Sequence, residues 1–344
     1  MATIKDVAKH AGVSVGTVSR FLNGAGVRRN NVERIERAIV ELGYRPNMLG
    51  RSLVTGRSNS VGVLVANAGN VFAATVMAGL QPAFEGRGLT TLFVDYGHDV
   101  ALLREKVDFL LTRSVDGLVV FLSELGRRED ELGWLAELGV PVVVVDNPLM
   151  RAVENDDEVV VVDGRVDSVV VDNRGGVAEV VGAMLDAGHE HVGVLGLSTD
   201  TYVGSERLAG WREACEAHGF VAPECDARCG AATKEAGRVA TVELLDAGGV
   251  TAIFACNYYL TLGALKAMGE RGLRPGVDMG LAGFDDFDFS DVVVPPLTIV
   301  GQPTEDIVRV VSDLLVRRMG GDLEGRGLHV LPTTIRVTDS IARR

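Results

Sequence analysis

Apolar residues recur along the first 45 positions at helical spacing. Ile4, Val7, Ala8 and Ala11 fall at i, i+3, i+4 and i+7, one face of a helix. Thr3 and Asp6 supply a capping-box-like start, and Gly12-Val13 breaks the pattern. Ser14 is placed to cap a second helix, with Val18 and Leu22 as its apolar face. The opposite face of that helix carries Val15, Gly16, Thr17, Ser19, Arg20 and Asn23. A third helix is predicted with Asn31 as its cap, Val32, Ile35, Ile39 and Leu42 on one face, and Gly43 at its end. From Ser60 onward the pattern changes. Short apolar runs at 61–65, 91–95, 117–121 and 142–146 alternate with helical stretches at 72–87, 100–112 and 130–138. A second set follows, with strands at 192–197, 252–255 and 279–282 and helices at 175–187, 205–218, 234–246 and 260–271. Fully apolar strands alternating with helices predict a parallel sheet covered on both faces, here twice over. Two doubly wound halves place a ligand cleft between their strand ends. The fold class is therefore a small all-α helix-turn-helix head on an α/β body of two doubly wound parallel-sheet subdomains.

The second helix reads as a DNA-recognition helix. Small groups on its outer face let it sink into a major groove, and the fork of Arg20 suits guanine. Charge at first argues against this, because the 344 residues carry a net −13. Residues 1–60, however, hold ten Lys/Arg and four Asp/Glu, a net +6, and the remainder is −19. A basic head on an acidic body is the asymmetry expected when one end alone meets phosphate. Arg28, Arg29 and Arg34 can add phosphate contacts or simply be solvated.

Several functions are disfavoured. Lys5, Asp6 and Lys9 interrupt the N-terminus where a secretory signal would be apolar, and no run approaches the roughly 18 apolar residues of a spanning helix. A cytoplasmic protein is expected, on the nucleoid when bound to DNA, with no membrane partner. Cys215, Cys225, Cys229 and Cys256 then read as free thiols, and Cys225/Cys229 lack the second ligand pair of a zinc site. His189-Glu190-His191 reads as ordinary polar loop residues. No metal and no cofactor are expected. An enzyme would need a P-loop, a GxGxxG after a strand or a GxSxG elbow, and none is present. Asp285-Asp286 lacks a companion base, so no catalytic residues are assigned. A ligand-binding protein without DNA function would need a signal peptide and no helical head.

The run DVAxxAGVS, TVSRxLN, LGYRPN and RSL, within residues 6–53, resembles the LacI/GalR family of bacterial transcription regulators. The similarity continues almost to the C-terminus. It implies a type I periplasmic-binding-protein-like body, with domains at 1–46 (helix-turn-helix), 47–59 (hinge helix and linker) and 60–344 (effector binding and dimerisation). The chain is then expected to cross between subdomains near Asp172, Val300 and Leu328. That gives an N-subdomain of 60–171 and 301–327, and a C-subdomain of 172–300 and 328–344. The implied function is a repressor whose operator affinity is controlled by a small polar effector, a sugar or related metabolite.

By the same resemblance, Val15 and Gly16 match the pair that tunes base choice, and Arg20 a third such position. Thr3, Ser14, Thr17 and Ser19 touch phosphates or cap helices. Asn47, Arg51 and Leu53 belong to the hinge, where Leu53 matches a leucine that wedges into the minor groove. Gly50 replaces a helix former there, at about 1 kcal/mol. Effector residues follow from motifs. Arg207 comes from SxRxxG, Asp285 from GFDD, and Asn257 from an ND pair whose aspartate is Tyr258 here. Asp146 and Asp172 end strands facing the cleft, and Asn70 and Phe72 begin one wall. Ala73 and Ala232 stand where the family often has aromatics, which leaves the ligand class open. The acidic segment 149–167 reads as a solvated loop or hairpin. One recognition helix reads too few base pairs alone, so a homodimer on a near-palindromic site is expected. Its surfaces by resemblance are the helix near 306–319 and the face of 72–88. No leucine-rich tail follows Thr338, so no tail-built tetramer is expected.

Overall fold

The structure is a computed structural model and describes residues 2–22, 25–44, 57–122, 132–152, 159–161, 166–222 and 226–342. The chain divides into two compact units, Met1–Asn59 and Ser60–Arg344. In the first, α1 (Ile4–Ala11), α2 (Val15–Leu22) and α3 (Arg29–Leu42) enclose a core of Val7, Ala8, Ala11, Val18, Ile35 and Ala38. The capping box is formed, with Thr3 N–H donating to Asp6 Oδ2 at 2.8 Å. Gly12 ends α1 at φ 62°, a left-handed conformation that glycine adopts without penalty. Ser14 Oγ accepts from Thr17 N–H at 3.1 Å and caps α2. Asn31 does not cap α3. The helix opens earlier, where the Arg28 carbonyl accepts from the N–H groups of Asn31 and Val32 at 2.8 and 3.3 Å. The main chain thus starts the helix without a side-chain cap.

The body holds two six-stranded sheets. The first sheet holds β1 (Ser60–Val65), β2 (Thr90–Asp95), β3 (Gly117–Phe121), β4 (Val142–Val145) and β7 (Val166–Val171), joined by β13 (Leu328–Leu331). Their order is β13-β7-β4-β3-β1-β2, all parallel. The second sheet has β8 (Val192–Leu197), β9 (Ala227–Gly230), β10 (Ala252–Ala255), β11 (Gly280–Phe284), β12 (Thr298–Gly301) and β14 (Thr334–Arg336). Its order is β14-β12-β11-β10-β8-β9, parallel except where β14 meets β12. Helices α4 (Val71–Glu85), α5 (Val100–Leu111) and α11 (Thr304–Met319) serve the first sheet. The second is served by α6 (Asn173–Asp186), α7 (Tyr202–Ala217), α8 (Lys234–Ala247) and α9 (Tyr258–Glu270), with the single turn α10 (Phe289–Val292) beyond β11. Strands such as β1 and β4 are buried along their whole length, which is why they read as unbroken valine runs. Helices α4 and α11 approach closely at Gly79, where a Cβ would lie 2.7 Å from Val308 Cγ2.

Several expectations need correction. The chain crosses between sheets after β7 and after β12, but the third crossing falls beyond Leu331, not at Leu328. Leu328–Leu331 pairs with Ser168–Val171 and adds an edge strand to the first sheet. The helix expected at 130–138 is, among the described residues, a 3-10 helix at Gly133–Glu137 with Leu135 as its buried contact. The acidic segment forms hairpin arms, β5 (Met150–Ala152) antiparallel to β6 (Val159–Val161). Asp167, however, is fully buried, because Arg318 of α11 reaches it bidentately at 2.8 and 2.9 Å. His189 lies in the loop before β8, as expected, but it is not solvated. It is 2% exposed and bridges Thr251 Oγ1 and the Ile341 carbonyl, both at 3.0 Å.

Candidate functional site

In the head, helix α2 turns Val18 into the core and leaves Ser14, Val15, Gly16 and Arg20 exposed, with Thr17 and Ser19 half-buried. Val15 is 41% exposed, so its side chain is open to contact. A Cβ on Gly16 would meet nothing nearer than Ser14 Oγ at 3.8 Å, so the space above this glycine is open. Ser14 Oγ and Thr17 Oγ1 are 2.8 Å apart. Arg20 makes no ion pair among the described residues, whereas Arg34 lies over the Gly12 carbonyl at 3.4 Å. Arg34 is therefore occupied at the end of α1. Asn23, Asn47, Arg51 and Leu53 lie outside the described residues, as does Gly50.

In the body, strand ends of both sheets converge on a cavity of about 380 Å³. Asn70, Phe72, Asp146, Arg207, Asn257 and Asp285 all line it. Asp172 does not. It is exposed and caps α6, accepting from Gly175 N–H at 2.8 Å. Its neighbour Asn173 takes the inward position, and Asn173 Oδ1 accepts from Arg207 Nε at 2.9 Å. Arg207 Nη1 donates to the Cys256 carbonyl at 2.5 Å, and its guanidinium carbon sits 3.5 Å from the Phe284 ring centroid. These contacts hold the fork rigidly, and Nη2 makes no hydrogen bond to the described residues. Burial pushes the Arg207 pKa down, while Asp285, Cys256 and Asp146 act to hold it up. The group stays cationic, since arginine's ordinary value is far above neutrality. The thiol of Cys256 is pushed up to about 12 by burial, so it sits protonated beneath the arginine.

Asp146 and Asp285 occupy left-handed backbone, φ 73° and 82°, at the ends of β4 and β11. Such strain in non-glycine residues needs surrounding structure to hold it. For Asp285 that structure is visible. Its carboxylate accepts from Tyr258 N–H at 3.0 Å and Gln302 Nε2 at 2.7 Å. Asn257 Oδ1 caps α9 through Leu260 N–H at 2.8 Å, and Asn70 Oδ1 caps α4 through Ala73 N–H at 3.2 Å. Both side chains therefore serve helix starts as well as the cavity.

Several lining residues belong to no motif singled out in the sequence, among them His98, Tyr259 and Gln302, and Asn173 holds Arg207 from outside the lining. Asn173 sits beside Asp172 in sequence, and Gln302 directly follows a crossing strand, so position was the available signal. Tyr259 supplies the aromatic group that Ala73 and Ala232 do not. Its hydroxyl donates to the Gly69 carbonyl at 2.7 Å, joining α9 to the loop after β1 across the cleft. Tyr259→Phe is expected to weaken ligand binding about fivefold, the worth of one such bond of about 1 kcal/mol. Calorimetry on the two proteins checks this, and equal affinities would show that the bridge carries no load.

Among the described residues, no three His, Cys, Asp or Glu side chains could hold a metal ion, and no helix is long and apolar enough to cross a membrane. Residues 3–47 match the bacterial regulatory proteins of the lacI family, and residues 181–341 match a periplasmic binding protein-like domain. The HTH-type transcriptional regulator CelR of Thermobifida fusca is 35% identical over 346 residues, covering 98% of either chain. Among solved structures, a CelR–cellobiose complex aligns at TM-score 0.72 and 32% identity, over 99% of this chain and 100% of that one. The lac repressor dimer bound to operator and the anti-inducer ONPF shares the fold at TM-score 0.85 and 24% identity, over 99% of each chain.

Proposed function

The chain belongs to the LacI family of bacterial regulatory proteins and is a DNA-binding transcriptional regulator, and from that premise we propose that it is a repressor whose operator affinity is set by a neutral sugar in the body cleft. It works as a homodimer on a near-palindromic site, in the cytoplasm. The charge of the cavity carries this reading. One fixed cation, Arg207, faces two carboxylates, Asp146 and Asp285. A phosphorylated or carboxylated ligand would add negative charge to a lining that already has an excess of it. A neutral ligand rich in hydroxyls satisfies both the fork and the carboxylates. The cellobiose complex of the CelR structure supports the same class.

The effector residues in this proposal are Arg207, Asn257, Asp285, Asp146, Asn70 and Phe72, with Tyr259 and Gln302 added and Asp172 withdrawn to a helix cap. On DNA, α2 enters the major groove and residues 47–59 form the hinge, with Asn47, Arg51 and Leu53 in contact with the duplex. Dimerisation uses α4 and α11. The outward face of α4 is small and uncharged at Ala74, Thr75 and Ala78, which suits close packing by a second copy. Sedimentation at micromolar concentration tests this, and a monomer bound to DNA would overturn it.

The operator can be obtained by selection from a random DNA pool, and inverted half-sites are expected. On the selected site Arg20→Ala should lose about 1–3 kcal/mol, the worth of a bidentate base contact. On random DNA it should lose little, because the basic head still attracts phosphate. Anisotropy titrations with both duplexes decide the point. Equal losses on the two would remove Arg20 from base reading. Adding the sugar should change operator affinity, and operator should change sugar affinity by the same factor.

A further inference from the structure

Two turns build part of the first-sheet side of the cavity that holds Arg207. The turn between β1 and α4 supplies Asn67 and Asn70, and the turn after β2 supplies His98. One carboxylate fastens both. Asp95 Oδ2 accepts from Ala68 N–H and Oδ1 from Gly97 N–H, each at 2.8 Å. The first turn is also tied internally. Gly69 N–H donates to Asn67 Oδ1 at 2.8 Å, an Asx turn, and Asn70 N–H donates to the Asn67 carbonyl at 3.1 Å. These bonds fix where the Gly69 carbonyl lies.

The group that reaches this carbonyl comes from the other lobe. Tyr259 Oη donates to it at 2.7 Å. The Tyr259 ring stands edge-on to Tyr258 at 5.1 Å, and Tyr258 in turn to Phe287 and Phe289 at 5.2 Å each. Interlocked rings restrict one another's torsions. Both partners of the bond are thus held within their own lobes before they meet, so joining them loses little side-chain freedom. Charge favours the same approach. Asp146 ends β4 in the first lobe, and it acts to hold Arg207 of the second lobe cationic. The hydrogen bond runs from lobe to lobe through protein atoms alone, so it acts whether or not the cavity is filled.

We propose that Asp95, Gly69 and Tyr259 form a latch that biases the cleft toward closure by itself, and so sets the operator affinity from which the effector works. The inference rests on the repressor reading above and adds what fixes the resting state. Asp95 is a positioning residue. It acts through the Gly69 carbonyl and not on the ligand. One bond of this kind shifts the ratio of closed to open forms about fivefold. A ligand that favours the closed form then starts from an equilibrium already tilted its way.

Titrations of the full chain with its selected operator, without sugar, test the latch. Tyr259→Phe removes the hydroxyl, and Asp95→Ala frees both turns. Asp95 and Ala68 are exposed and Gly97 is half-buried, so water can replace the carboxylate and the variant should fold. Each variant should move operator affinity at least about twofold. The shift should run opposite to the one that a sugar causes in the wild type, because the sugar closes the cleft and the variants open it. The double variant should move no further than the larger single, since both act through one bond. Asp95→Asn keeps one of the two acceptors and should fall between wild type and Asp95→Ala. The sugar used is whichever of glucose, galactose, xylose and cellobiose shifts wild-type operator binding, and at saturation it should bring all these proteins to one affinity. Circular dichroism and unchanged binding to random DNA confirm that the variants fold. Operator affinity that both single variants leave alone, a shift in the sugar's own direction, or additive shifts in the double variant overturn the latch, and the sugar reading stands if a sugar still acts. If none of the four sugars acts, the sugar reading falls, and the sugar-free titrations alone decide the latch: a shared, non-additive shift upholds it and no shift overturns it.

Discussion

Arg207→Ala is expected to abolish the effector response, with ligand affinity falling at least about 100-fold. The guanidinium is buried and locked by Asn173 and the Cys256 carbonyl, with one terminal nitrogen left for a ligand. Hydrogen bonds to a charged group contribute about 1.5–3 kcal/mol each. Truncation also removes the cation that Asp146 and Asp285 face, leaving the lining with an excess of negative charge. Arg207→Lys keeps the charge and loses the planar fork, and should fall between the two. Operator binding in the absence of sugar should stay nearly intact, since the head is a separate compact unit. Titration calorimetry with the sugar, beside anisotropy with the selected operator, reads the two effects apart. Wild-type sugar affinity in Arg207→Ala would move the site elsewhere.

Breaking the Asp167–Arg318 pair should have the largest effect on stability. Both side chains are 1% exposed or less, and Arg318 also donates to the carbonyls of Asp322 and Glu324 at 3.0 and 2.7 Å. It thereby shapes the loop that feeds β13. Arg318→Ala leaves a buried carboxylate unpaired, which costs about 3–5 kcal/mol. That is a large part of the roughly 5–15 kcal/mol of a typical domain. Replacing both partners, as in Asp167→Leu with Arg318→Met, should cost less than either alone. Acid should find the same weakness. Burial by itself would raise the Asp167 pKa, but bonds from Arg318 and His329 outweigh it and hold the value at about 2 against an ordinary 3.8. A depressed carboxylate stabilises the fold above its unfolded value and loses that contribution as pH falls through its folded value. The pair's contribution is therefore whole above about pH 4 and lost on descent to about 2. Denaturant unfolding at several pH values checks this. A shift under 1 kcal/mol for Arg318→Ala, or a wild type indifferent to pH between 4 and 2, would contradict it.

Much of the architecture was legible because burial writes itself into the sequence. A strand covered on both faces must be apolar throughout, so Val142–Val145 announced itself. Strands β9, β13 and β14 went unread because they are edges, only partly covered, and mix polar with apolar residues. That is also why the third crossing was placed too early. In the cleft, Arg207, Asn257 and Asp285 were found through motifs, and the structure brings them together. Asp172 was assigned to the cleft because it ends a strand, but a strand's last residue can as well cap the next helix. Asp167 and His189 looked like surface residues in a polar stretch. Their partners lie 151 and 152 residues away in the chain, and no local pattern reports such distances. Tyr258 read as a departure from a pattern, yet with Phe287 and Phe289 it braces Tyr259.

The placement of β13 and α11 has a consequence for how this protein is made. Five strands of the first sheet leave the ribosome by Val171, but the helix and strand that complete it begin at Thr304. At a synthesis rate of about 5–20 residues per second, the half-built sheet waits roughly 7–25 s. During that interval the face later covered by α11 is bare, and the carboxylate of Asp167 has no arginine to receive it. Most of the second lobe is meanwhile translated, with its edge strand β14 still to come. The nascent chain therefore carries an unfinished lobe beside one nearing completion, and that delay is the window in which a chaperone would find it.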